Sequence, residues 1–347
     1  MRNIVSTKTV DSIDPIPGAD AIDVATIGGW RVVVQKGRFE AGDVAVFFEV
    51  DAFLPESHEL FESFSKRGRK VVISPYTNEE VAGHVLKTAK LRGIVSQGLL
   101  MKLEEIGIDP EWSQEQVDER AREIGVFKYE TPIPDGGGMV GEFPIEYASK
   151  TRSARVQNLD NDFLKSLDPS EWVATEKVDG TSSTFIMTEN GLKVASRNWE
   201  VSRHESLQGK LADRLGLEDI MPVNSVIQGE AYGESKLLQG NPLKIAGTRL
   251  SVFYSHVVGN DLDTGAESRE IFENFVKDHQ APVLDLKLPE TITEAIEQVD
   301  GIKSAINPKV NAEGIVWWNV LGKTFDELDD RSNFKVLNNK YLLKHGG

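Results

Sequence analysis

The chain has 347 residues, enough for about two domains of roughly 100–200 residues each. Apolar residues make up 39% and charged residues 27%, which excludes wholesale disorder and fibrous classes, and no run approaches the ~18 apolar residues of a membrane-spanning helix. There is no cysteine, so disulfides and thiolate metal sites are excluded; with no apolar signal core after Met1, a cytoplasmic protein is expected. The net charge of −16 is spread evenly, with 17 basic and 25 acidic residues up to position 150 and 22 and 30 after it. Taken alone, it argues against a protein that lives on polyanions. It leaves room for local basic runs at 66–70 and 150–155.

The first hundred residues predict short β segments broken by turns. Strands are expected at 30–34, 44–50, 70–73, 81–86 and 93–100, where β-branched and aromatic residues alternate with glycine. Such a pattern in so short a segment points to a small OB-type barrel. A helix is expected over 111–124, after Pro110 and before Gly125. Residues 131–144 hold three prolines and four glycines and predict a linker. Beyond it, strands are expected at 184–187, 193–196, 225–228, 250–258 and 314–318, with helices near 203–215 and 268–278, an α+β pattern.

Several chemistries are excluded by motif. No Walker-type G-x-x-x-x-G-K-[ST], H-E-x-x-H or G-x-S-x-G occurs, and the G-x-G-x-x-G at 136–141 lies in the linker with no apolar strand before it. The six histidines are isolated. Lysines and carboxylates are left to carry any chemistry. An apolar strand ends in Glu176-Lys177-Val178-Asp179-Gly180, and several further segments follow in order: Ser196-Arg197-Asn198, Gly229-Glu230, the aromatic strand around Phe253-Tyr254, Glu313-Gly314-Ile315-Val316, and the lysine strand from Asn333 through Lys335 to Lys340.

This ordered set resembles the motifs of the covalent nucleotidyltransferase superfamily of polynucleotide ligases and mRNA-capping enzymes, over essentially the whole second half. A barrel before the catalytic half, and seven residues after Lys340, resemble the branch of ATP-dependent RNA ligases with an N-terminal OB module. The resemblance implies an α+β chain in which an ATP-grasp-like nucleotidyltransferase domain of antiparallel sheets with helices follows an OB-type β-barrel. The expected divisions are a barrel with a trailing helix at 1–130, a linker at 131–146 and the nucleotidyltransferase domain at 147–347.

The resemblance also implies a site. Lys177 would be the nucleophile that takes AMP from ATP as a lysyl-AMP phosphoramide. A free lysine titrates near ~10.4, so its deprotonation at neutral pH costs roughly 4–5 kcal/mol, and a divalent metal with Lys335 nearby is expected to lower that cost. Asp179, Glu230 and Glu313 would hold Mg²⁺ or Mn²⁺ mostly through water, since a hard cation prefers oxygen. With Lys177, the residues Glu176, Gly180, Arg197, Glu230, Phe253 (stacked on adenine), Lys335, Arg155 and Lys340 make up the expected ATP contacts, with Asp179 and Lys335 also catalytic. The family pattern often has a second lysine two positions after the first, but position 337 is Leu here, so the part played by Lys340 is open.

The expected partner is RNA with 3′-OH and 5′-phosphate ends, in a nicked duplex, handled by a monomer. A DNA ligase, an end-capping nucleotidyltransferase and a non-catalytic OB-fold nucleic-acid-binding protein are the alternatives.

Overall fold

The computed structural model describes residues 3–130, 138–257 and 266–345. The chain is a mixed α+β protein built from antiparallel sheets. In the N-terminal part, Val5–Thr9, Val44–Phe48 and Leu99–Lys102 form one sheet, and Ser12–Pro15, Ile22–Ile27 and Trp30–Gln35 a second. A third sheet has four strands in the order Phe127–Lys128, Ala52–Pro55, Glu80–Val85 and Lys70–Ile73. Alternation sets which side of each strand is inside. In Trp30–Gln35 the side chains of Trp30, Val32 and Val34 are buried while Arg31 and Gln35 are exposed. Helix Gln114–Glu123 covers one end, capped by the Ser113 side chain and packing Val117 and Ala121 against Val5, Phe48 and Leu54.

The expected single strand at 93–100 is two, Ile94–Ser96 and Leu99–Lys102. Gly98, with a φ of +97°, breaks it, because a side chain there would press on the Phe47 ring and the Phe48 carbonyl. Residues 131–137 of the expected linker lie outside the described residues. Met139–Glu142, in its second half, is the edge strand of a six-stranded sheet of the C-terminal part, paired with Trp199–Val201.

The C-terminal part places two sheets side by side. A six-stranded sheet runs from Met139–Glu142 through Trp199–Val201, Gly191–Ala195, Thr181–Thr188 and Ser225–Gly233 to Thr248–Val257. A five-stranded sheet runs Ala154–Arg155, Asn333–Leu337, Gly314–Asn319, Trp172–Lys177 and Val283–Leu284. Their cores are separate. Phe185, Val194, Leu211 and Ile227 fill the first, and Trp172, Ile315, Trp317 and Phe334 the second.

The helix expected near 203–215 is Leu207–Leu215, its start set by Ser206, whose hydroxyl accepts from the Gly209 amide, and its end by Gly216 at a φ of +63°. The second expected helix is Ala266–Asp278, and the strand expected at 250–258 is Thr248–Val257, with position 258 outside the described residues. The chain reading missed helix Ile292–Val299. Its signal was present: Thr291 and Glu294 mark a cap three residues apart, and Ile292, Ala295 and Val299 lie on one buried face.

Trp30 donates to Asn158 at 2.9 Å, joining the barrel to the C-terminal part. Gly29 approaches so closely that a Cβ there would lie 2.7 Å from the Gln157 Cα. Arg155 sits between Glu49 (3.9 Å) and Asp51 (3.6 Å) of the barrel, with its guanidinium over the Trp30 ring. A cleft of about 2300 Å³ opens between the two parts.

Candidate active site

The site is assembled where strands of the two C-terminal sheets meet: Lys177 ends its strand, whereas Glu230 and Lys335 lie within theirs. Lys177 ends Trp172–Lys177 opposite Gly314, so Glu313, one residue before that strand, lies beside it. The Lys177 Nζ lies 2.5 Å from a Glu313 carboxylate oxygen. Lys335 enters through the next strand, where Val316 pairs with it. Glu230 comes from the other sheet, opposite Ser182 and Ser251.

Between them, the Val178-Asp179-Gly180 turn carries the chain from one sheet to the other. Gly180 permits it, since a Cβ at that position would lie 2.1 Å from the Ala231 carbonyl oxygen. The structure therefore brings together Lys177, Asp179, Glu230, Glu313 and Lys335, all lining the cleft.

The cluster carries an excess of carboxylate. Burial raises the Glu230 carboxyl to about 8, with Glu313 and Asp179 adding to the rise and Lys177 and Arg197 opposing it. Burial likewise raises Glu313, against the attraction of Lys177. For Lys177, burial disfavours the ammonium, but Glu313, Glu230 and Asp179 together outweigh it and the amine stays above its usual range.

Lys335 acts on Glu313, and the carboxylates hold Lys177 as an ammonium. Cationic charge placed against these carboxylates is needed to release it.

A testable pH dependence follows for the ligand-free protein. With its folded pKa raised, Glu230 keeps a proton that the unfolded chain sheds above about 4.3, so stability falls as pH rises from there through about 8. Melting temperatures followed across that range should drop more steeply for the wild type than for Glu230→Gln.

Other expected residues are distributed unevenly. Arg197 is exposed in the cleft, where its charge acts on both Glu230 and Glu130. Phe253 also lines the cleft, because a bulge opposite Gln228 and Gly229 inserts it as an extra residue between Val252 and Tyr254. Its ring stacks on Trp318 at 5.8 Å between centroids. Trp318 is in turn held by an indole hydrogen bond to Thr175 of 3.1 Å.

Glu176 also lines the cleft. Its carboxylate is buried and accepts from the Ala305 amide at 2.8 Å. Lys340 is not brought to the site: it is mostly exposed and paired with Asp300 at 3.0 Å. Arg155, also expected at the nucleotide, lines the cleft but is buried against the barrel acids described above. Ser182 shares a 3.1 Å hydroxyl contact with Thr151.

Three residues that the motifs did not flag position the cluster. Besides Trp318, Asn338 is fully buried; its amide donates to the Ala312 carbonyl at 3.0 Å and its backbone N–H to the Glu313 carbonyl at 2.8 Å, fixing the chain that carries Glu313. Tyr341, on helix Asn339–His345, donates its buried hydroxyl to Asp179. Burial, Asp179 and Glu313 all raise its pKa, so it is a donor at every working pH. Only the fold brings position 341 next to 179.

Hydrogen bonds to a charged group are worth about 1.5–3 kcal/mol. Tyr341→Phe is therefore expected to slow nucleotidyl transfer onto the protein about tenfold in single-turnover labelling, with the ATP KM little changed.

A lysine held among carboxylates in a two-sheet cleft behind a β-barrel defines a nucleotidyltransferase site. An RNA ligase family model matches residues 170–337, and an OB-fold domain model matches residues 4–103. Among solved structures, Naegleria gruberi RNA ligase with PPi is 32% identical with a TM-score of 0.76, covering 100% of this chain and 99% of that one. A lysine-to-alanine mutant of that ligase with ATP and Mn is 31% identical (TM-score 0.77), and a glutamate-to-alanine mutant with AMP and Mn is 32% identical (TM-score 0.77); each covers 99% of both chains. No curated protein matches. The chain belongs to the RNA ligase family, with an OB-fold domain ahead of its ligase domain.

Proposed function

We propose that this protein is an ATP-dependent ligase that seals RNA 3′-OH and 5′-phosphate ends at duplex nicks, acting through lysyl-AMP and adenylylated-RNA intermediates. The observation that carries the reading is the Lys177 amine, half-buried and ringed by Glu313, Glu230 and Asp179. After the ammonium gives one proton to water, the amine attacks the α-phosphorus of ATP; an N–P bond forms, the P–O bond to pyrophosphate breaks, and the nitrogen's second proton leaves to water or the departing pyrophosphate. Lys335 and Arg197 face the same space and neutralise phosphate charge. AMP then moves to the RNA 5′-phosphate, and the 3′-OH displaces it. Phe253 and Trp318 provide the aromatic surface for the adenine.

The donor set suits a divalent cation. Three carboxylates crowd one lysine, which leaves negative charge to be offset, yet among the described residues no three side chains form a direct chelating group. Asp179, Glu230 and Glu313 would therefore hold Mg²⁺ or Mn²⁺ largely through water. When bound, the metal supplies positive charge that competes with Lys177 for these carboxylates and favours the neutral amine.

Among the described residues no helix is long and apolar enough to cross a membrane. A monomer working in the cytoplasm completes the proposal. The test compares nicked duplexes with ribose or deoxyribose on the 3′-OH side. Sealing of the ribose nick is expected; equal sealing of an all-DNA nick would count against RNA specificity.

A further inference from the structure

The barrel's basic residues divide into two groups. Arg38 is spent on Glu105 at 2.6 Å and Arg69 on Glu56 at 2.8 Å, so these two cations are neutralised within the barrel. A second group faces the cleft. Lys70, at the start of an edge strand, places its Nζ 3.3 Å from the Tyr129 hydroxyl and 4.5 Å from that ring's centre. Lys87 follows the neighbouring strand Glu80–Val85 and is half-buried; burial first, then the charge of Lys70, lower its pKa. Both side chains line the cleft, and the charge of Lys70 reaches the partly desolvated Lys87. Across the cleft, Arg152 and Arg331 repeat the arrangement, with burial and Arg152 lowering Arg331. The wall is not without acid, since Lys128 is paired with Glu130 at 2.8 Å and Asp329 partly offsets Arg331.

Holding like cations together costs stability, and in a chain of net charge −16 carboxylates were plentiful enough to neutralise them. A polyanion in the cleft offsets that cost. We propose that Lys70 and Lys87 on the barrel, facing Arg152 and Arg331 on the ligase domain, form a phosphate-binding channel that grips the RNA backbone beside the break. The inference rests on the ligase reading above. ATP has one triphosphate, and Lys335 and Arg197 already meet it at Lys177, whereas these cations occupy both walls of a cleft about 2300 Å³ in volume. Aromatic support under Lys70 keeps its ammonium in place without a carboxylate.

The experiment uses the full chain, α-labelled ATP with Mg²⁺ or Mn²⁺, and a fluorescent nicked RNA duplex at several salt concentrations. In Lys70→Ala/Lys87→Ala, lysyl-AMP formation is expected at the wild-type level, duplex binding weakened about tenfold, and the dependence of log K on log salt shallower by about two contacts' worth. Lys70→Arg/Lys87→Arg should restore binding. Arg152→Gln, a change on the opposite wall, should show the same separation and covers the case in which the double variant folds poorly. Unchanged duplex affinity and salt slope would overturn the channel. So would a loss of lysyl-AMP matching the loss of binding, which assigns the pair to the nucleotide instead. Failure of the wild type itself to form lysyl-AMP would sink the ligase reading separately.

Discussion

Arg155→Ala is expected to be the most destabilising single change in the interface between the two parts of the molecule. The guanidinium is buried among Glu49, Asp51 and the Trp30 ring, and Glu49 is itself only 2% exposed. Removing one member of a buried ion pair leaves the other charged in a poorly solvated place, typically at a cost of about 3–5 kcal/mol. The ion-pair distances here are longer than in a tight pair, so about 2–4 kcal/mol is expected. The loss should appear in chemical denaturation as a lower midpoint, and Glu49→Gln added to Arg155→Ala should recover part of it. Because Arg155 also lines the cleft, nucleotide transfer should fall as well, and the double variant should recover stability without recovering activity.

Gly180→Ala is expected to have the largest effect on catalysis outside the charged residues. The new methyl would meet backbone, the Ala231 carbonyl oxygen at 2.1 Å, with the Tyr232 Cβ at 3.1 Å behind it, and neither neighbour can swing away like a flexible side chain. The turn must move, carrying Asp179 away from Tyr341 and shifting Lys177 relative to Glu230, the residue just before Ala231. Misplacing reacting groups by about 1 Å costs on the order of a hundredfold in rate. Single-turnover formation of lysyl-AMP should show that loss, while denaturation reports a cost of about 1–3 kcal/mol for the crowding. Wild-type rates in this variant would mean that the close approach at Ala231 does not set the site's geometry.

Much of the site was legible because its charged residues sit on or beside apolar strands in a fixed order. Lys177, Asp179, Glu230, Glu313 and Lys335 are far apart in sequence, yet each ends or borders an apolar run, and pairing of those runs converges them. Strand positions followed from β-branched runs for the same reason. Tyr341 and Asn338 were not legible. Nothing local marks a tyrosine in a short helix as the partner of an aspartate 162 positions earlier, and the Asn338 side chain binds a backbone carbonyl, a partner that any sequence possesses. Lys340 shows the converse: a lysine near the right motif points to Asp300, because helix Asn339–His345 turns its side chain outward.

Charge was the least local property. The −16 argued against a polyanion partner, but it is an average over surfaces that the fold keeps apart. Lys70, Lys87, Arg152 and Arg331 line the cleft, as do the carboxylates around Lys177. RNA binding is accordingly expected to depend on salt and metal ions.

The most direct test of the account is peptide mapping by mass after incubation with ATP and Mg²⁺ or Mn²⁺. The expected result is one adenylyl group, on Lys177, absent in Lys177→Ala and released when nicked RNA duplex is added. An adduct on another residue, or none with either metal, would contradict it.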